Sequence, residues 1–133
     1  MYILGCRYGG RLGRSLEAAM ANHTLISIVD DDQPFRESMR KLVTLLGYTV
    51  EEFPSAADFL ASPLLPETGC LIADVHMPGM TGDELHRRLI KLGHVIPTIL
   101  ATAYPDEVVR DQALKDGVIC GVNRLTMYGW LAQ

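Results

Sequence analysis

The sequence predicts a single α/β domain built on a doubly wound parallel sheet, in which five strands alternate with helices as (βα)5. Its 133 residues suffice for one domain with one hydrophobic core. Short apolar runs rich in β-branched residues recur along the chain, and amphipathic helical patterns separate them. Because strands and helices alternate strictly, right-handed crossovers should place helices on both faces of the sheet.

The chain divides at residue 24 in this interpretation. Residues 1–23 contain four glycines and three arginines without a sustained helical or strand period, which indicates a poorly ordered N-terminal extension. Residues 24–133 then form the domain, since the composition changes abruptly to apolar, β-branched residues at position 25.

The predicted strands differ in how deeply they should be buried. Four are short, nearly continuous apolar runs of the kind found in buried parallel strands, and they cover residues 25–29, 70–73, 98–101 and 118–122. Residues 48–53 alternate between polar and apolar side chains, so this strand should be more exposed.

The helix after the first strand has the clearest pattern. Apolar residues recur at i, i+4, i+7, i+8 and i+11 from Phe35, Pro34 lies in the first turn, and Gly47 follows the end. A leucine pattern over residues 85–92 predicts another helix, which Gly93 ends.

Two weaker helical patterns cover residues 56–61 and 105–116. Only seven residues follow Thr126, so the last helix should be short or missing. The apolar surface of the fourth helix and fifth strand would then be uncovered, and we expect a second copy of the chain or another protein to cover it. A second copy would form a homodimer through the helix 4, strand 5 and C-terminal face.

Composition excludes several function classes. The formal net charge of −4 argues against a surface that neutralises nucleic-acid phosphates, so we expect no direct nucleic-acid binding by this domain. No apolar run approaches the roughly 18 residues that cross a bilayer. The odd number of cysteines, three, indicates reduced thiols, and we expect a cytoplasmic protein without membrane contact.

Polar residues stand where the predicted strands end. They are Asp30, Asp31 and Asp32 after the first strand, Asp74 after the third, Thr102 after the fourth, and Asn123 and Arg124 after the fifth. In an open sheet these ends share one edge, and ligands bind where the strand order reverses. For the order 2-1-3-4-5 that point lies between strands 1 and 3, so the carboxylates of Asp30, Asp31 and Asp74 should converge.

Crowded carboxylates repel one another unless a cation neutralises them. Mg²⁺ suits a site with one or two carboxylates, waters and a phosphate, whereas a Ca²⁺ loop would supply more oxygen ligands from one segment. Singly, each residue has an ordinary explanation: Asp32 as a helix cap, which we favour, a lone Asp after a strand as a turn residue, and Arg124 as a surface charge, while Thr102 alone is unremarkable. Their coincidence at four strand ends predicts a metal-assisted phosphate site.

Three motifs resemble those of the response-regulator receiver domains of two-component signalling. They are Val29-Asp30-Asp31, the stretch D-x-x-M-P-x-M-x-G over residues 74–82, and Ala101-Thr102-Ala103. Residues 33–36 and 55–60 further resemble the FixJ-like branch, whose members often carry a downstream DNA-binding domain. The resemblance covers residues 25 to about 126 and implies a flavodoxin-like fold.

The resemblance also implies the roles of the site residues. Asp74 would be the phosphoacceptor, while Asp30, Asp31, Asp74 and the backbone carbonyl of His76 would bind Mg²⁺. Thr102 would hydrogen-bond the phosphoryl oxygens. The phosphodonor would be a sensor histidine kinase or a phosphotransfer protein, and the domain would act as a conformational switch in a phosphorelay and not as an enzyme, although it would assist its own phosphorylation and dephosphorylation.

The chain departs from the family pattern after the fifth strand. Arg124 and Leu125 stand where the family has a lysine and a cis-proline, and Gly121 stands where it has an aromatic switch residue. A planar guanidinium does not occupy the space of an ammonium, and a cis peptide before leucine is improbable. The alternative is therefore a pseudo-receiver, which binds a protein partner without phosphorylation.

Two further classes fit less well. An aspartyl-phosphate phosphatase would have a D-x-D motif, whereas His76 stands two residues after Asp74. A flavodoxin-like cofactor-binding protein would need a phosphate loop rich in Ser, Thr or Gly after the first strand, where this chain has three aspartates.

Overall fold

The computed structural model describes residues 25–102 and, outside that range, residues 2–3, 6–7, 112, 115 and 120–123. The side chains of Thr102 and of residues 120–123 are not among the described atoms. Within the described residues, no helix is long and apolar enough to span a bilayer.

Five parallel strands form the main sheet: β1 (Leu25–Val29), β2 (Thr49–Phe53), β3 (Thr68–Asp74), β4 (Thr98–Thr102) and β5 (Cys120–Asn123). Their order is β2-β1-β3-β4-β5, and every neighbouring pair is parallel. This confirms the predicted fold class and strand order. Residues 118 and 119, which the sequence assigned to the last strand, lie outside the described residues.

The third strand begins two residues earlier than its apolar run predicts. The hydroxyls of Ser27 and Thr68 are hydrogen-bonded at 2.7 Å in the interior, and both side chains are buried. This pairing allows two polar residues inside the sheet, since a buried hydroxyl is tolerated when it has a partner. The register between β1 and β3 shifts after Leu25, next to this pair.

Three α-helices have described bounds, α1 (Gln33–Leu45), α2 (Ala56–Leu60) and α3 (Gly82–Lys91), and a short 3-10 helix covers Leu65–Glu67. The predicted ends are confirmed, because Gly47 and Gly93 follow α1 and α3 with φ of 98° and 87°, which glycine adopts readily. Of the predicted helix over residues 105–116, only Gln112 and Lys115 are described, and both are helical.

The helices cover both faces of the sheet. Three α1 side chains, Phe35, Met39 and Val43, pack on one face against strand residues such as Ile26 and Ile72. The other face packs against α2 and α3, with these buried apolar residues among its members: Phe59, Leu71, Leu85, Leu89 and Leu100. The sheet is therefore the middle of three layers, as the alternation of strands and helices predicts.

Cys70 belongs to the core and has no disulfide partner. Burial raises the pKa of its thiol to about 12, so Cys70 behaves as a small apolar side chain.

At the N-terminus, Tyr2–Ile3 pairs with Cys6–Arg7 in an antiparallel arrangement. The domain boundary at residue 24 and the poor order of residues 1–23 stay predictions. The predicted short or missing last helix lies outside the described residues.

Candidate functional site

Three carboxylates meet at the carboxyl edge of the sheet, between the neighbouring strands β1 and β3. Asp30 follows β1 and Asp74 is the last residue of β3, two strands that pair side by side with Val29 opposite Ala73. One carboxylate oxygen each from Asp30, Asp31 and Asp74 lies within 4.8 Å of the others. The structure thus brings together the three aspartates at which the sequence predicted a metal.

The three side chains differ in exposure. Asp30 is 1% and Asp74 3% exposed, whereas Asp31 is exposed to solvent. The cluster therefore combines two buried carboxylates with one carboxylate exposed at the surface. Two like charges at about 5 Å repel by on the order of 3 kcal/mol at an effective dielectric constant of 20, which a bound cation would offset.

Hydrogen bonds to its N–H, its carbonyl and its carboxylate hold Asp30 in place. Its N–H donates to the carbonyl of Phe53 at 3.1 Å, and its own carbonyl accepts from Nη1 of Arg36 at 2.7 Å. Its Oδ1 accepts the N–H of Asp32 at 2.8 Å. Asp32 in turn caps α1, because its Oδ1 accepts the N–H of Phe35 at 3.3 Å, which confirms the capping interpretation of this residue.

The loop after Asp74 is tied back to the sheet. Oδ1 of Asp74 accepts the N–H of His76 at 3.2 Å. Val75 donates its N–H to Ala101 of β4 at 3.2 Å and accepts the N–H of Gly82 at 3.1 Å. These bonds fix the loop at both of its ends, and the side chain of His76 is exposed.

The glycine that ends the motif lies against the predicted phosphoacceptor. A Cβ on Gly82 would clash with the carbonyl oxygen of Asp74, and it would stand 2.9 Å from the carbonyl carbon and 3.1 Å from Cδ2 of Leu100. Only glycine allows the first turn of α3 to approach the end of β3 this closely. Within the loop, Gly79 has φ of 83°, a value that glycine adopts readily.

The remaining predicted site residues are described only in part. Thr102 ends β4 at the same edge, where its backbone pairs with Asn123 of β5. Its side chain is not described, and Arg124 and Leu125 lie outside the described residues. Their parts in phosphate binding stay predictions.

Sequence reasoning missed Arg36 and its neighbours. Glu52 of β2 lies 3.5 Å from Nε of Arg36 and 3.0 Å from Nε of Arg40, measured to its two carboxylate oxygens. The sequence contained one signal, because Arg36 and Arg40 are spaced i, i+4 and share a face of α1. Nothing in the sequence showed that this face meets the acidic loop.

The donor set fits a hard divalent cation. Every atom offered by the three aspartates is a carboxylate oxygen, and the backbone carbonyls of the loop after Asp74 are of the same class. Mg²⁺ prefers such ligands and usually keeps several waters in its coordination shell. The side of the cluster at Asp31 is exposed to solvent, which leaves room for these waters.

A family model for the response regulator receiver domain matches residues 26–122. Response regulator protein TmoT of Ectopseudomonas mendocina is 38% identical over 113 residues, which are 85% of this chain and 50% of TmoT. Transcriptional regulatory protein FixJ of Rhizobium meliloti (strain 1021) is 37% identical over 100 residues, 75% of this chain and 48% of FixJ. The chain thus spans about half the length of these two relatives.

Solved structures show the same likeness. The crystal structure of FixJ-N superposes with a TM-score of 0.69 at 35% identity, covering 77% of this chain and 82% of that one. The low-resolution structure of response regulator StyR superposes with a TM-score of 0.68 at 36% identity, covering 77% of this chain and 52% of that one. These neighbours confirm the flavodoxin-like fold and the FixJ-like resemblance. The chain belongs to the response regulator receiver domain family of two-component systems.

Proposed function

We propose that this domain accepts a phosphoryl group on Asp74 in a Mg²⁺-dependent reaction and acts as a conformational switch. The observation that carries the proposal is the convergence of Asp30, Asp31 and Asp74 within 4.8 Å at the strand ends. The donor would be a phosphohistidine on a sensor histidine kinase or a phosphotransfer protein, as the family implies.

Asp74 is oriented for this reaction by the loop that follows it. The N–H of His76 donates to Oδ1 of Asp74 at 3.2 Å and fixes the carboxylate relative to the loop. A carboxylate oxygen of Asp74 forms a bond to phosphorus while the phosphorus–nitrogen bond of the donor breaks, and the histidine nitrogen keeps the electron pair. Water later cleaves the acyl phosphate and restores the Asp74 carboxylate.

The other site residues would bind and orient the groups involved. Asp30, Asp31, Asp74 and the backbone carbonyl of His76 would hold Mg²⁺, which supplies positive charge to the phosphoryl oxygens. The hydroxyl of Thr102 would donate to a phosphoryl oxygen, and Arg124 would add a second positive charge at the same edge. Catalysis in this scheme consists of positioning and electrostatics.

Three further expectations belong to this proposal. The domain is cytoplasmic and acts on its partners without binding nucleic acid itself. The homodimer would form through the helix 4, strand 5 and C-terminal face. Residues 1–23 would form an extension outside the domain.

The test is the intact mass of the protein after incubation with acetyl phosphate and Mg²⁺. We expect the parent to gain one phosphoryl group. An Asp58→Asn control should gain one as well, because Asp58 is an exposed carboxylate of α2 outside the acidic cluster, where it accepts a hydrogen bond from the hydroxyl of Ser55. Asp74→Asn should gain none. An unmodified parent that binds Mg²⁺ would instead favour the pseudo-receiver, which acts through protein contacts alone.

A further inference from the structure

Arg36 reaches from a helix to the backbone of the acidic loop. It lies in the first turns of α1, its side chain is 14% exposed, and its Nη1 donates to the carbonyl of Asp30 at 2.7 Å. That carbonyl belongs to the peptide group that joins Asp30 to Asp31. Both aspartates project from the two ends of this one peptide group, so its rotation would move both carboxylates relative to Asp74.

Glu52 forms an ion pair with the guanidinium of Arg36, without a hydrogen bond to Nε of Arg36. Its Oε1 lies 3.5 Å from Nε of Arg36, and its Oε2 lies 3.0 Å from Nε of Arg40, whose side chain is 46% exposed. Glu52 precedes Phe53 on β2, and Phe53 accepts the N–H of Asp30. The edge strand and α1 therefore hold the same peptide segment from two directions.

We propose that Arg36 is a positioning residue for the Mg²⁺ site, fixed by Glu52 and acting on the Asp30–Asp31 peptide group. The proposal rests on the proposed function, because it concerns the same site. A guanidinium suits this task, since its planar group of donors can bind a carbonyl and a carboxylate together, which the single ammonium of lysine does less well.

Two mechanisms, repulsion by the charge of Arg36 and positioning of the peptide group by its hydrogen bond, predict opposite changes in Mg²⁺ affinity when Arg36 is removed. If Arg36 acted only through its charge, neutralising it would strengthen the binding of a nearby cation, because like charges repel. If it acts by fixing the peptide group, neutralising it would weaken binding, because the carboxylates would no longer be held together. The sign of the change in Mg²⁺ affinity therefore separates the two mechanisms.

The experiment is calorimetric titration of Mg²⁺ into the full chain. We expect Arg36→Met to raise the Kd by about fivefold or more, a change of roughly 1 kcal/mol. Arg36→Lys keeps the charge and should lie between this variant and the parent. Arg40→Met is the matched control, because Arg40 pairs with the same Glu52 from a more exposed position on α1, and its Kd should stay within about twofold of the parent.

Amide hydrogen exchange in metal-free protein gives a second readout. The N–H of Asp32 donates to Oδ1 of Asp30, so Arg36→Met should speed its exchange while Arg40→Met leaves it unchanged. If Arg36→Met does not fold, Arg36→Lys decides the question by the same two measurements.

The outcomes separate the two proposals. A parent that binds Mg²⁺ together with an Arg36→Met variant that binds it as tightly or more tightly would overturn the positioning role alone. A parent that binds no Mg²⁺ would overturn both that role and the metal dependence of the proposed function.

Discussion

At the scale of single residues, the site depends on burying two carboxylates of like charge side by side. Asp30 and Asp74 are almost fully enclosed, and each retains a backbone N–H donor on Oδ1. Hydrogen bonds to ionised carboxylates are stronger than those between neutral groups, and they offset part of the cost of burial. They do not remove the repulsion between the two charges, which a cation can do.

The asparagine variant at position 74 should therefore stabilise the metal-free protein. Asp74→Asn keeps the shape and the acceptor for the N–H of His76, yet it removes one charge from the cluster. We expect the free energy of unfolding in EDTA to rise by about 1 kcal/mol, as measured by urea denaturation. Asp58→Asn, on the surface of α2, should change it by less than about 0.5 kcal/mol. A destabilised Asp74→Asn would show that charge repulsion is not the dominant effect.

The sequence predicted the aspartates but not the residue that holds them. Asp30, Asp31 and Asp74 follow apolar strands, so strand order alone brings them together. Arg36 is six residues from the carbonyl that it contacts, and its other partner comes from β2. Such a contact depends on the orientation of α1 on the sheet, which hydrophobic periodicity does not determine.

At the scale of elements, the junction of β3 with α3 is the most constrained part of the site. The helix begins with Gly82 against the backbone of Asp74, and a capping box between Thr81 and Glu84 fixes this first turn. The position of the phosphoacceptor backbone and the start of the helix are therefore coupled. The sequence showed the glycine as part of a motif, whereas the close approach explains why the motif requires it.

Gly82→Ala should disturb both stability and metal binding. Its Cβ would press on the carbonyl of Asp74 and on Leu100, and such overpacking costs about 1–3 kcal/mol. We expect the free energy of unfolding in urea to fall by that amount. Mg²⁺ binding should also weaken, because Asp74 must shift.

Gly79→Ala is the control, since its Cβ would meet nothing within 4 Å. Its positive φ costs about 1–2 kcal/mol, and Mg²⁺ affinity should be retained. Equal Mg²⁺ affinity in the two variants would contradict the coupling.

At the scale of the whole molecule, the alternation of strands and helices was enough to predict a parallel sheet with two covered faces, and the order of its strands is that of the flavodoxin-like fold implied by the resemblance to receiver domains. It was not enough to predict where β3 begins. The strand starts at Thr68, a polar residue outside the apolar run, and its burial is tolerated because its hydroxyl is hydrogen-bonded to Ser27. The same sheet order places the ends of β1 and β3 side by side. A ligand bound to Asp30 and Asp74 therefore connects segments that are far apart in sequence.

Mg²⁺ should consequently stabilise the whole domain against thermal unfolding. The unfolded chain cannot hold its three aspartates together, so binding favours the native state; at tenfold excess over the Kd the gain is about 1.4 kcal/mol. For a domain of this size that corresponds to a rise in Tm of about 5 °C, measurable by circular dichroism. NaCl at equal ionic strength controls for general screening of the net negative charge and should have a smaller effect. Asp74→Asn should lose most of the Mg²⁺ response, and a rise of equal size in this variant would place the cation elsewhere on the protein.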